Sequence, residues 1–153
     1  MIDRRSSRIL AMQALCQLEV LAEDFVPQLD GFLAEGSDDR AIRDYARRLT
    51  LDTWRQREEL DNCIQEVAEH WDLKRMATVD RNALRIAACE LLHRPDVPPP
   101  VVITEAVEIG KTFGTADSAA FINGILDAIL RKHLERSKTK IPADAASTPP
   151  TES

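Results

Sequence analysis

Residues 80–130, DRNALRIAACELLHRPDVPPPVVITEAVEIGKTFGTADSAAFINGILDAIL, contain three helical patterns separated by a proline cluster and a glycine. In the first pattern, over 79–93, apolar residues recur at helical spacing. The PDVPPP stretch at 95–100 ends this helix, because proline cannot extend a helix and disfavours helical backbone at the residue before it. A second helix is predicted from about residue 103 and a third from the TADS stretch onward.

Polar residues and a glycine mark the ends of the second and third helices. Thr104 is available to cap the second helix, and Gly114 lies at its exit. Asp117 or Ser118 supplies the N-cap of the third helix, whose apolar residues again follow helical spacing. Three helices joined by short connections are therefore expected in this half of the chain.

The Asn123-Gly124 pair within the third helix is a typical hairpin signature. Helical periodicity continues on both sides of it, so the longer pattern favours a helix. Glycine inside a helix costs about 1 kcal/mol relative to alanine. A close approach of another backbone or of a ligand beside Phe121 would offset that cost.

The N-terminal half has the same character. Apolar residues at helical spacing predict four further helices, over about 4–22, 26–34, 38–56 and 57–70. No alternation typical of a strand occurs in either half. The predicted fold is an all-α bundle of about seven helices that spans residues 1–136. The polar, proline-rich stretch at 137–153 is expected to remain disordered, because it cannot bury enough apolar area to order itself.

Charge is unevenly distributed along this acidic chain, whose formal net charge is −6. Residues 19–70 carry six arginines against fourteen acidic residues, whereas the first helix begins with Arg4, Arg5 and Arg8. The overall charge argues against non-specific binding of polyanions by the whole surface. A local cationic site remains compatible with it.

No pattern in the sequence predicts catalysis. A nucleophile elbow, a glycine-rich phosphate loop and an HExxH motif are all absent from the sequence. The cysteines lack metal-ligand spacing and are interpreted as buried free thiols, and the histidines are scattered: Cys16, Cys63, Cys89, His70, His93 and His133. No cofactor or metal is expected, no segment is apolar enough to span a membrane, and no signal peptide is recognised. We expect a cytoplasmic binding protein rather than an enzyme.

The arginines suggest what is bound. The positive end of the helix dipole favours anionic side chains at a helix start, so three arginines there are not explained by helix stability. Guanidinium groups match phosphate oxygens, and Arg81, Arg85 and Lys111 add positive charge. Phe121, in the first turn of the last helix, could stack on a base, although a core position is the more common role of a phenylalanine.

Two stretches resemble the NusB family of bacterial transcription antitermination factors. RRSSRILAMQALCQLE is similar to the family's arginine-rich first helix. The 80–130 stretch is similar to its most characteristic block, a leucine-arginine helix, a D-x-P break, an I-N-E-A-x-E helix, then F-G, D-S and F-V-N-G-V-L-D. The resemblance covers about residues 4–133 and is weakest over 24–70.

The resemblance implies a fold of two packed helical subdomains and a factor without catalytic activity. It implies binding to the single-stranded boxA element of ribosomal-RNA leaders together with NusE, a small-subunit ribosomal protein, and an indirect link to the RNA polymerase elongation complex. It also implies that copies of the chain can form a homodimer. Seven residues are implied to contact RNA: Arg4, Arg5, Arg8, Arg81, Arg85, Lys111 and Phe121. Four are implied to contact the partner: Asp80, Asp117, Ser118 and again Phe121.

Three positions depart from the family pattern. Cys16 and Cys89 stand where tyrosine is frequent, which removes two ring hydroxyls, and Thr104 replaces the usual asparagine. Two other functions fit the same pattern. One is a helical adaptor whose arginines hold an acidic protein, and the other is a stand-alone relative of the RNA-binding domain of a ribosomal-RNA cytosine methyltransferase.

Overall fold

The chain folds as an all-α protein, as the periodicity predicts. The computed structural model describes the backbone of residues 4–147 and the side chains of residues 4–133. The α-helices are α1 (Arg4–Leu21), α2 (Leu29–Gly36), α3 (Arg40–Arg55), α4 (Arg57–Val67), α5 (Thr78–His93), α6 (Pro99–Phe113) and α7 (Ser118–Ser147). Two 3-10 helices, Ala22–Gln28 and Leu73–Arg75, lie before α2 and α5. No strand occurs within residues 4–147.

Two groups of helices share one core. The first group, α1 to α3, packs around α1, and the second, α4 to α7, packs around α5. Since α1 and α3 also contact α5, the two groups are joined through that helix. Small and branched apolar residues dominate the centre, including Ala11, Leu15, Leu84 and Ala88, each at most 1% exposed. Alanine allows helix axes to approach closely, which suits a chain with few aromatic residues.

The start of α6 differs from the prediction. The helix begins at Pro99 with Pro98 as its N-cap residue, so Thr104 lies inside it and is not the cap. Proline fits the first turn because its missing N–H group would have no helical partner there and its φ angle is already helical. The proline cluster therefore ends α5 and also begins α6.

Helices α6 and α7 pack closely at their junction. A side chain at Gly110 would meet Ile122 Cδ1 at 2.8 Å, and one at Gly114 would clash with Ser118 Oγ. Gly114 ends α6 in extended backbone with φ −96°, so its role is close approach and not left-handed geometry. The F-G and D-S motifs thus form one compact corner.

Helix α7 extends farther than predicted. Its backbone continues to Ser147, whereas the sequence predicts an irregular tail from residue 137. The stretch over 137–147 contains alanine and lysine, which favour helices, and it follows directly on a formed helix, so no new nucleation is required. Pro142 within it opposes helical backbone, so these two terms act against a local helix breaker. Residues 148–153 of the predicted tail lie outside the described residues.

Candidate nucleic-acid interface

The start of α1 presents two of the predicted phosphate contacts at the surface. The Arg5 side chain is 59% exposed, and its guanidinium forms a bidentate pair with Glu105 of α6, at 2.9 and 2.8 Å. Arg4 is half-buried and lies 3.8 Å from Asp96. Its guanidinium also lies over the ring of Tyr45, 4.8 Å from the ring centroid. Both groups can therefore be reached by an anion from solvent.

Arg8 points into the protein instead. Its side chain is 4% exposed, and its Nε and Nη2 donate to Glu90 of α5 at 2.7 and 2.9 Å. The Tyr45 hydroxyl donates to the same carboxylate at 2.8 Å. Burial alone would lower the pKa of Arg8, but its hydrogen bond to Glu90 and the charge of that carboxylate raise the pKa above its ordinary value. This placement argues against the predicted phosphate contact. Arg8 instead joins α1 to α5 through a buried ion pair with Glu90, which we call the clamp.

Arg81 and Arg85 are also engaged by carboxylates. Arg81 forms a bidentate pair with Glu19 of α1, and Arg85 forms one with Asp61 of α4 while contacting Glu19 as well. Arg81 also donates to the carbonyl oxygen of Met76 at 2.8 Å, which holds the connection before α5. Burial would raise the pKa of Glu19, but the two guanidinium groups keep it below its ordinary value. The network joins three helices, so its arginines are poorly available to RNA.

The network lines a groove of about 710 Å³ that also contains Trp54, Arg57, Lys74 and Asp72. Trp54 is covered by Arg57, whose guanidinium lies 3.8 Å from the ring centroid. The groove, which we call the mixed-charge groove, is lined by both acidic and basic side chains. Such a surface is more complementary to a protein that carries charges of both signs than to the polyanionic backbone of a nucleic acid.

Asp80 and Lys111 have contrasting environments. Asp80 is 7% exposed, in the first turn of α5, and its Oδ1 lacks a hydrogen-bond partner among the described residues. Lys111 is 61% exposed on α6 and pairs with Glu108 at 3.2 Å. Lys111 is thus accessible to a ligand, whereas Asp80 is nearly covered.

The predicted partner residues Asp117 and Ser118 also separate. Asp117 is exposed, but Ser118 is 1% exposed, and its Oγ accepts a hydrogen bond from the Thr115 backbone at 2.9 Å. Ser118 therefore fixes the turn between α6 and α7, and a direct contact with a partner is incompatible with its burial.

Phe121 lies beside Trp71, a residue that no sequence pattern predicted to belong to a site. Its ring meets that of Trp71 edge to face, with centroids 5.3 Å apart, and Trp71 is 58% exposed. The two rings line a shallow groove of about 330 Å³ that also includes His70 and Gly124. No described protein atom outside its own helix lies within 4 Å of where a Gly124 Cβ would be, so the expected approach of another backbone does not occur. We call this feature the aromatic groove.

The cysteines have no arrangement for catalysis. Cys16 and Cys89 form no disulfide with any described residue; Cys89 is fully buried, and the Cys16 thiol accepts a weak hydrogen bond from Asn82. Burial raises the pKa of both thiols, which keeps them protonated. Within the described side chains, no cluster of three or more metal-binding groups occurs. None of the described helices is both long and apolar enough to cross a membrane.

The sequence of the chain matches a known family. The model of the NusB family matches residues 5–131. The NusB transcription antitermination protein of Symbiobacterium thermophilum is 40% identical over 138 residues, which cover 85% of this chain and 90% of that protein. The corresponding protein of Anaeromyxobacter dehalogenans strain 2CP-1 is 44% identical over 131 residues, 84% of this chain and 92% of its own.

Solved structures show the same fold. The NusB structure of T. maritima has a TM-score of 0.76 and 37% identity, and the alignment covers 92% of this chain and 99% of that one. A crystal structure of antitermination factors NusB and NusE in complex with double-stranded RNA contains a chain with a TM-score of 0.75 and 26% identity. That alignment covers 84% of this chain and 96% of the other.

Proposed function

The chain belongs to the NusB family of transcription antitermination proteins, and from this premise we propose that it binds the boxA element of ribosomal-RNA leader transcripts together with NusE. As a member of this family, it is not an enzyme. It acts in the cytoplasm and reaches the elongating RNA polymerase only through the assembled complex.

The observation that carries the proposal is the surface position of Arg4 and Arg5 at the start of α1. Arginine binds phosphate through paired N–H groups, and a helix start adds partial positive charge. A phosphate can compete with Glu105 for Arg5 because that ion pair is open to solvent on the arginine side, where such pairs contribute about 1 kcal/mol or less. The arginines thus serve the RNA at little cost to the fold.

The aromatic groove is proposed as the second contact. Single-stranded RNA is commonly held by stacking its bases on aromatic side chains. The exposed face of Trp71, supported by Phe121, offers such a surface. Lys111 contributes positive charge on α6, and its ion pair with Glu108 is exposed enough for a phosphate to compete for the lysine.

Binding is proposed to be cooperative with NusE. Three of the six predicted cationic contacts, Arg8, Arg81 and Arg85, are bound to carboxylates inside the protein. Only a few phosphates can then be neutralised by this acidic chain, and the gain from counterion release is small. NusE supplies the remaining surface and charge. The mixed-charge groove is proposed as its docking surface. Exposed Asp117 is proposed as a separate partner contact, whereas the burial of Asp80 argues against a direct contact there.

The experiment is a fluorescence anisotropy titration of a labelled boxA RNA with the chain, with and without NusE. Binding is expected to be at least tenfold tighter with NusE, and a scrambled RNA is expected to bind more weakly. Equal affinities with and without NusE would refute cooperativity. Equal affinities for the two RNAs would favour the alternative of a helical adaptor.

Two variants locate the contact. Arg5→Gln is expected to weaken boxA binding, whereas Arg131→Gln, which removes the same charge from a 68% exposed arginine of α7, is expected to leave it unchanged. Equal loss in both variants would mean that overall charge, and not the α1 start, controls binding. Sedimentation at two protein concentrations, with and without RNA, tests whether a homodimer competes with RNA.

A further inference from the structure

We propose that Arg4, Arg48 and Arg94 form a seat for one phosphate of the RNA backbone around the ring of Tyr45. This inference rests on the proposed function, since RNA is the ligand that it assigns. The three guanidinium carbons lie 4.8, 5.9 and 5.2 Å from the centroid of the ring. They come from three places in the chain, the start of α1, the middle of α3 and the end of α5.

Tyr45 is a fixed platform for these arginines. It is 2% exposed, and its hydroxyl donates to Glu90 at 2.8 Å, while Glu90 itself is held by Arg8. A cation is attracted to the face of an aromatic ring within about 6 Å of its centroid. The buried clamp between α1 and α5 therefore sets where the surface arginines gather.

Carboxylates do not balance the charge of this cluster. Arg94 donates to Asp52 at 2.8 Å, and Arg4 lies 3.8 Å from Asp96, which is 70% exposed. Arg48 is exposed and has no ion pair within the part of the chain that the structure describes. Glu90 cannot serve, because it is 1% exposed and already bound by Arg8 and Tyr45. Three arginines against two aspartates leave one positive charge, which one phosphodiester would neutralise.

The geometry favours an RNA phosphate over other anions. Arg5 directly follows Arg4 in the first turn of α1, so we expect a strand that contacts Arg5 to bring a neighbouring phosphate to the seat. Guanidinium groups from separate helices can donate to the two non-bridging oxygens of one phosphate. Contacts of this kind position the strand and do not depend on its sequence.

The test is Arg48→Gln, with Arg47→Gln as the matched control. Both variants remove one positive charge from adjacent positions of α3, but Arg47 faces α2 and donates to Asp30 at 2.8 Å. The affinity of the chain with NusE for a labelled single-stranded boxA RNA is measured by anisotropy at several salt concentrations. Thermal unfolding by circular dichroism checks that each variant is folded.

Arg48→Gln is expected to reduce the slope of log affinity against log salt by about 0.7, the value for one phosphate on single-stranded RNA, and to weaken binding about fivefold at 0.1 M salt. The loss should be equal for boxA and scrambled RNA, and Arg48→Lys should restore most of the slope. Arg47→Gln should have the same RNA affinity and the same salt slope as the unmodified chain.

The outcomes separate the two proposals. If the unmodified chain binds RNA but Arg48→Gln has the same slope as Arg47→Gln, the seat is refuted and the proposed function stands. If Arg48→Gln loses affinity for boxA RNA but not for scrambled RNA, Arg48 contacts a base, and the phosphate seat is likewise refuted. If the unmodified chain with NusE binds no RNA, both proposals fail.

Discussion

Replacing Arg8 by methionine tests whether this arginine belongs to the core or to the RNA surface. Methionine retains the unbranched apolar stem and removes the guanidinium, so Glu90 keeps only its bond from Tyr45. Both members of the ion pair are at least 96% buried, since their side chains are 4% and 1% exposed. Removing one partner of a buried pair leaves an uncompensated charge and costs about 3–5 kcal/mol.

This loss is large relative to the stability of a domain of this size, which is about 5–15 kcal/mol. At about 2–4 °C per kcal/mol, the melting temperature should fall by about 6–20 °C. Urea unfolding followed by circular dichroism gives the free energy directly. Arg5→Met, which breaks an ion pair whose arginine is 59% exposed, is the control and should cost about 1 kcal/mol or less.

A second variant excludes a simple packing effect. In Arg8→Met with Glu90→Gln, the buried charge is removed, and the amide oxygen can still accept the Tyr45 hydroxyl. The double variant should therefore be more stable than Arg8→Met alone, because exchanging a whole buried pair for uncharged groups is far less costly than breaking it. A loss below about 1 kcal/mol for Arg8→Met, or a double variant no more stable than the single one, would refute the clamp.

Two further predictions concern Gly124, with Gly31 as its control, and Glu19. Gly124→Ala and Gly31→Ala each add a methyl group to a helix at a position where no described atom outside the helix lies within 4 Å. Each variant should therefore stabilise the fold by about 0.5–1 kcal/mol. Only Gly124→Ala should weaken RNA binding, because its methyl group enters the aromatic groove. Thermal unfolding and boxA titration of both variants measure this, and equal RNA affinities would remove Gly124 from the binding surface. Glu19→Gln should destabilise the protein by about 1–3 kcal/mol at neutral pH. Because the folded-state pKa of Glu19 lies below its ordinary value, its ionised form stabilises the fold at neutral pH, and this contribution is lost as the pH falls through that lowered pKa. The difference between the variant and the unmodified chain should therefore shrink below about pH 4, and a difference that grows on acidification would contradict the network.

The fold class and most helix positions follow from local patterns in the amino-acid sequence. Apolar spacing and the proline and glycine breaks depend on neighbours in the chain, so α5 and α3 appear almost where the periodicity predicts them. It also supported the family resemblance, which the match over residues 5–131 confirmed. The prediction that Thr104 caps α6 was wrong, because proline can either end a helix or occupy its first turn. Here Pro99 begins α6, so Thr104 lies inside the helix.

Which charged residues face solvent depends on how the helices pack, and local sequence patterns do not specify it. Arg5 and Arg8 look alike in sequence, yet one is exposed and the other is buried against Glu90, a residue 82 positions away. The helical period gave a usable signal, because Arg8 lies on the same stripe as buried Ala11 and Leu15. The sequence contains no corresponding signal for Glu90 as the partner of Arg8, since an ion pair between helices far apart in sequence leaves no pattern along the chain. The same holds for Trp71 beside Phe121 and for the arginines around Tyr45, which packing alone brings together.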